Sequence, residues 1–272
     1  MTRQAGYSDS RLAPPRLVRR AVRWFAMALF LALPLGSVQA TVPSGPPTFN
    51  TNPLTFTNRY EPFVPRATKV YSGAKSGGVK VIILENYLSE TRTFQLAGAN
   101  KKDAVVCSIL REMEFDNNQL VEDSLNHFAQ ADDGTVYYFG EIVDIYQNGV
   151  VTSHEGSWLV GGPTRDSDPP ETANAPHPFV FMPANPQQGD VFKQEDLYPY
   201  VDETDQVVAV NQTVTVPVGT FTNVIQVLES SRLDPSTEDK WYAPGVGVIQ
   251  GRAKGETSQL IVSTLPLLLR SP

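Results

Sequence analysis

The chain has 272 residues, with 22 Lys+Arg against 29 Asp+Glu, 3 His, 1 Cys, 22 Pro and 19 Gly, and 41% of its residues are hydrophobic. That apolar content supports a core in one large or two small domains and excludes collagen, coiled-coil and disordered classes. A single cysteine closes no intramolecular disulfide and supplies no thiolate zinc set.

Residues 1–23 carry Arg3, Arg11, Arg16, Arg19, Arg20 and Arg23, opposed by Asp9 alone, and an apolar run from Trp24 to Leu35 follows. Gly36-Ser37-Val38-Gln39-Ala40 then places small residues for cleavage after Ala40. The pattern predicts a secretory signal peptide over 1–40, because the apolar run is shorter than the ~20 residues that span a bilayer. Arg19-Arg20 invites a twin-arginine reading, but Val18 and Val22 lack its flanking context. The mature chain would keep 16 Lys+Arg against 28 Asp+Glu, a formal charge of −12. Such an acidic protein offers no footprint for nucleic acid or anionic lipid surfaces, and no stable membrane span is expected in it. Its expected place is the periplasm or the outside of the cell.

Residues 41–58, rich in Pro, Thr and Asn, read as an extended linker ahead of a single β-rich domain over 59–272. Lys69–Tyr71, Val79–Leu84, Thr91–Leu96, Ala104–Phe115, Leu120–Ala131, Thr135–Tyr146 and Val150–Val160 are β-branched or aromatic stretches parted by Gly, Asn and Asp. Residues 161–190 hold Pro163, Pro169, Pro170, Pro176, Pro178, Pro183 and Pro186 and predict a long Pro-rich loop covering an edge or mouth. Strands resume at Val191–Glu195, Val207–Val216, Thr220–Ser230, Lys240–Tyr242 and Val246–Gln250, followed by an apolar stretch from Gln259 to Leu269. The fold class expected is all-β, an antiparallel meander forming a curved sheet or half-barrel.

Asn117-Asn118, Asp133-Gly134 and Asn148-Gly149 predict two-residue turns with positive φ at both positions, and these fix the register. Cys107, Phe128, Phe139 and Trp158 then form one row across four strands. The next rows on that face are Ile109, Asn126, Glu141 and Gly156, then Arg111, Ser124, Val143 and His154. A pocket bounded by Asn126, Phe128, Phe139, Glu141, His154 and Trp158 pairs apolar walls with convergent polar groups, as ligand sites do. Gly156 opposite Glu141 leaves it room. His127 falls on the other face, which argues against a two-histidine metal site.

Other motifs have structural readings. Ser153 and His154 are strand neighbours pointing to opposite faces, so they form no nucleophile–base pair. There is no Gly-x-Ser-x-Gly elbow and no His-Glu-x-x-His stretch. Glu141 and His154 make either an acid–base couple or a polar group that holds strand register. Asp132-Asp133-Gly134 reads as turn chemistry and Asp202-Glu203-Thr204-Asp205 as a solvated acidic loop, since neither has the ligand spacing of a calcium loop. No metal or cofactor site is therefore expected. His177, in Ala175-Pro176-His177-Pro178, reads as an exposed loop residue.

Val214-Thr215-Val216-Pro217-Val218-Gly219-Thr220-Phe221 and Tyr242-Ala243-Pro244-Gly245-Val246-Gly247 are two Pro-Gly hairpins. With Tyr137–Glu141 and His154–Trp158 they give the chain, over roughly Asn52 to Leu260, a resemblance to uncharacterised bacterial exported proteins sharing V-x-V-P-x-G-T-F and Y-A-P-G-V-G hairpins. The resemblance implies a sheet similar in outline to periplasmic lipid-carrier and lipoprotein-chaperone half-barrels, and it carries over no residue role.

The functional expectation is an exported, non-enzymatic binding protein for an apolar or amphipathic, lipid-like ligand. Phe128, Phe139 and Trp158 would form its wall, and Asn126, Glu141 and His154 would orient the polar end. The alternatives are a structural or partner-binding cell-envelope domain, or an envelope enzyme using Glu141 and His154 for proton transfer.

Overall fold

A computed structural model describes residues 42–96 and 104–265; the predicted signal peptide and the end of the C-terminal apolar stretch lie outside the described residues. Among the described residues every regular element is a strand. In chain order these are β1 (Thr68–Lys75), β2 (Val79–Gln95), β3 (Ala104–Asp116), β4 (Gln119–Gln130), β5 (Val136–Gln147), β6 (Val150–Ser153), β7 (Trp158–Val160) and β8 (Ala173–Ala175). They continue as β9 (Phe179–Met182), β10 (Val191–Leu197), β11 (Val201–Val216), β12 (Gly219–Ser230), β13 (Thr237–Ala243), β14 (Gly247–Ala253) and β15 (Glu256–Ser263). No helix among the described residues is long and apolar enough to cross a membrane.

All fifteen strands belong to one sheet, ordered β10-β11-β12-β13-β14-β15-β1-β2-β3-β4-β5-β7-β8, with β6 and β9 also paired to β5. The pairing is antiparallel except between β7 and β8. Because β1 pairs with β15, the sheet is two hairpin ladders joined at the ends of the domain. Its far edges come round to meet: the Gln194 amide donates to the Phe181 carbonyl (3.2 Å), and the Trp158 indole donates to Glu195 (2.9 Å). The result is a nearly closed, barrel-like curve, which leaves little of the unpaired edge that open sheets must protect.

Several expected elements take another form. The stretches at 79–84 and 91–96 are one long strand, β2, irregular between Tyr87 and Thr91. The stretch 150–160 breaks at a turn closed by Ser157 N–H donating to the His154 carbonyl (3.0 Å), with Gly156 at positive φ. The Pro-rich segment carries β8 and β9 rather than running as a bare loop. Residues 202–205 lie inside β11, paired with β10 and β12, and are not a solvated loop. Ahead of β1, Phe49 packs edge-on against Tyr137 and Phe139, and Phe56 is buried against Phe63.

The turns explain where the expected register holds. Asn117-Asn118 and Asn148-Gly149 have positive φ at both positions, as two-residue hairpin turns need. Asp133-Gly134 does not: only Gly134 has positive φ, and the turn closes Ala131 on Thr135 as a longer loop. One residue is thereby shifted near that loop, so Phe128 pairs with Tyr138, not Phe139. A bulge between Asn126 and Phe128 restores the register, and Asn126 pairs with Glu141 as expected. Gly140 sits in that bulge at φ 113°, where an added Cβ would stand 2.1 Å from the Trp158 carbonyl oxygen. A further bulge between β3 and β4 puts Ser108, not Cys107, opposite Phe128.

Candidate functional site

Of the six residues expected in the pocket, the structure gathers four on the inner face of the curve: Asn126, Phe128, Glu141 and Trp158. Phe128 stacks on Tyr138 at 4.8 Å between ring centres, and Tyr138 meets Trp158 edge-on at 5.1 Å. Phe181 of β9 packs against Phe128 (4.6 Å) and Tyr138 (5.5 Å). The Tyr138 hydroxyl donates to Asn126 and also bonds Glu141. Trp158 lies opposite Glu141 across the β5–β7 pair, a place the expected register gave to Gly156.

Phe139 and His154 are elsewhere. The one-residue shift turns Phe139 to the opposite face, where it packs on Phe49 and Phe94. His154 follows β6 and turns outward, its Nδ1 2.8 Å from Asp144 Oδ1 and 3.1 Å from the Val143 carbonyl, with 29% of its side chain exposed. The Glu141–His154 couple is not assembled. The partner of Glu141 is Glu195 of β10, to which it is hydrogen-bonded.

That carboxyl pair belongs to an acidic interior that runs round the curve. Lys240 of β13 lies near enough to Glu61, Glu112, Glu195, Glu203, Asp205 and Glu229 for its charge to favour their ionised forms. Burial pushes the Glu61 carboxyl up to about 8, with Lys69 holding it down and Glu85 pushing it further up. Glu112 is likewise pushed up to about 8, by burial and then by Glu85. Glu195 rises to about 7 through burial and Glu203, and Glu141 rises well above the carboxylate range through burial and Glu195. Carboxyls this close in a water-poor space cannot all ionise.

Two lysines temper this charge. Lys69 pairs with Glu85 at 2.7 Å, both buried. Lys240 lies 2.8 Å from Glu229; burial works against its charge, but Glu229, Glu238 and Glu203 outweigh that and hold its pKa well above the usual lysine value. Yet Lys240 keeps 28% of its side chain exposed, and Asn126, Glu141, Glu195 and Glu203 are also only partly buried. These inner-face polar groups are therefore covered by neighbouring parts of the chain yet still meet solvent.

On the opposite face a second polar group is closed. Arg92 of β2 holds both oxygens of Asp168, at 2.8 and 2.6 Å, and the Thr164 hydroxyl at 3.1 Å. The backbone N–H groups of Thr164 and Arg165 also donate to Asp168, each at 2.8 Å. This fastens the Pro-rich segment to the sheet. His127, nearly fully buried beside Phe94, bonds the Gly140 carbonyl through Nδ1 (3.0 Å), and burial lowers its pKa to about 4.

Sequence reasoning missed Tyr138, Phe181, Glu195, Glu203, Asp205, Glu229 and Lys240. A signal for two of them was present: Val201, Glu203, Asp205 and Val207 alternate at strand period, so the acidic pair shares a face with two valines. A separate shallow depression of about 450 Å³, lined in part by Leu96, Val160, Asn174 and Pro176, lies away from this interior. Set against known protein families, curated proteins and solved structures, the chain matches none.

Proposed function

We propose that this chain is an exported, non-enzymatic binding protein that takes an amphipathic ligand into the inner space of its curved sheet. One observation carries the reading: an aromatic wall of Phe128, Tyr138, Trp158 and Phe181 stands directly beside hydrogen-bonding groups that remain partly open to solvent, Asn126, Glu141 and Glu195. Binding sites have this composition, apolar walls with a few placed polar groups. The hairpin resemblance to exported half-barrel proteins points the same way.

The chemistry of the polar end selects the ligand. Glu195 accepts from the Trp158 indole and from the protonated Glu141, and a cationic or donor headgroup would let both carboxyls ionise without mutual repulsion. The ligand class is therefore an alkyl or lipid-like chain ending in an amine or hydroxyl, rather than a free fatty acid. The test is native mass spectrometry of the protein purified without detergent, followed by Trp fluorescence titration with dodecylammonium, dodecanol and dodecanoate. A co-purifying amphiphile, and binding in the order ammonium, alcohol, carboxylate, is the expected result, with Glu141→Gln erasing that order. A clean mass together with no response to any of the three probes would overturn the reading.

A further inference from the structure

The acidic interior contains one group whose geometry calls for a different occupant. Asp205 and Glu229 are direct cross-strand partners in the β11–β12 pair, and Glu203 lies two residues from Asp205 on the same face. One carboxylate oxygen from each of the three lies within 4.8 Å of the other two. Like charges set opposite each other across antiparallel strands repel, and the repulsion grows as water is removed. Lys240 answers one member, at 2.8 Å from Glu229.

Asp205 is left unanswered. Its side chain is fully buried, and no hydrogen bond of ordinary geometry reaches either carboxylate oxygen. The Gln194 amide, close enough to act on Asp205, directs its Nε2 to the Phe181 carbonyl. A buried carboxylate with both oxygens unused is costly unless something with positive charge or a donor fills the gap. Its oxygens converge with those of Glu203 and Glu229.

We propose that Glu203, Asp205 and Glu229 form a binding site for a hard divalent cation of the Ca²⁺ or Mn²⁺ class. The ligand set is carboxylate oxygen throughout, with no imidazole or thiolate, which suits hard cations and disfavours zinc or copper. A double positive charge, with Lys240, balances the three carboxylates. Waters from the partly open inner space complete the coordination shell, since Glu203 is only partly buried. The site stands on its own residues and does not depend on the amphiphile reading above.

The experiment is a titration of the EDTA-treated, dialysed protein with Mn²⁺, followed by loss of the free-ion EPR signal, with Ca²⁺ as competitor and melting temperature measured alongside. The expected result is uptake of one Mn²⁺ per chain, displaced by Ca²⁺, and a higher melting temperature with either ion. Losing a group that merely orients a ligand already costs about 10–100-fold in metal affinity, so Asp205→Asn, which removes a ligand, should weaken uptake at least that much. Glu203→Gln should do the same, and Asp144→Asn, at the outward His154 pair, should leave uptake unchanged. Asp205→Asn relieves repulsion in the metal-free state, so it should fold. No uptake by the folded wild-type protein would overturn the proposal, and so would undiminished uptake by both Asp205→Asn and Glu203→Gln.

Discussion

Two carboxylates, Asp168 in the Pro-rich segment and Asp205 in β11, show what burial alone does not say. Asp168 has 3% of its side chain exposed, and each of its oxygens is engaged: Oδ1 by Arg92, and Oδ2 by Arg92 and two backbone N–H groups. Asp205 is buried more completely, and no hydrogen bond of ordinary geometry reaches either of its oxygens. An ionised carboxylate offers about four acceptor sites, so the first is saturated and the second is empty-handed. The difference shows in their proton affinities. Burial would raise Asp168, but Arg92 and the backbone donors bring it down to about 2; Asp205 is driven well above the carboxylate range by burial, Glu229 and Glu203. A saturated carboxylate stays ionised and holds structure together, and one set in a cluster of its own charge holds its proton more tightly.

The sharpest way to break this contrast is to neutralise each side. Asp168→Ala strands Arg92, whose side chain is 3% exposed, without its counter-ion, and it should cost about 3–5 kcal/mol. Urea denaturation measures this, and a cost near zero would mean the Pro-rich segment is not anchored there. Asp205→Asn in metal-free protein should do the reverse and stabilise by on the order of 1 kcal/mol once the pH is high enough to ionise the carboxyl, because it removes a like charge facing Glu229. A loss of several kcal/mol there would mean Asp205 has a structural partner after all.

Stability against pH separates the two faces next. His127 is lowered from 6.5 to about 4 by burial, so its folded form binds fewer protons than the unfolded chain between those values. That stability is complete above about 6.5 and is lost as pH falls toward 4. Glu61 and Glu112 are raised from 4.5 to about 8, so the folded form holds protons that the unfolded chain has released. Their contribution is complete below about 4.5 and is lost as pH rises through about 8. Denaturation midpoints should decline from pH 6.5 to pH 9, and the Glu61→Gln, Glu112→Gln double variant should flatten that decline and, below pH 6.5, expose more of the His127 loss that the two carboxyls offset. A wild-type stability that rises over this range would show that the inner carboxyls are already ionised.

The all-β class and most strand positions were legible because alternation and turn chemistry are local. Asn117-Asn118 and Asn148-Gly149 declared their turns, and the Asn126–Glu141 pairing followed. What failed was additive: each bulge moves every later pair by one residue, and bulges have little local signature beyond a glycine such as Gly140. Phe139 and His154 were misplaced for this reason, since one slip turns a side chain to the other face. The acidic half of the interior was hidden by composition. Asp and Glu are depleted in strands, so 202–205 read as a loop, and only closure of the curve brings Glu195 to Trp158 and Glu141.

The smallest expected effect tests that misplacement directly. Had Glu141 and His154 shared one pocket, removing both would cost less or more than the sum of the single losses. Here Glu141 answers to Tyr138 and Glu195 on the inner face, while His154 answers to Asp144 and the Val143 carbonyl with its side chain 29% exposed. A half-exposed pair of that kind contributes about 0–1 kcal/mol, so His154→Ala alone should move a urea midpoint very little. Combined with Glu141→Gln, the two changes should add to within about 0.5 kcal/mol, the behaviour of sites that share no partner. A coupling of 1 kcal/mol or more in that double-mutant cycle would reunite the two residues and return the acid–base couple to the inner face.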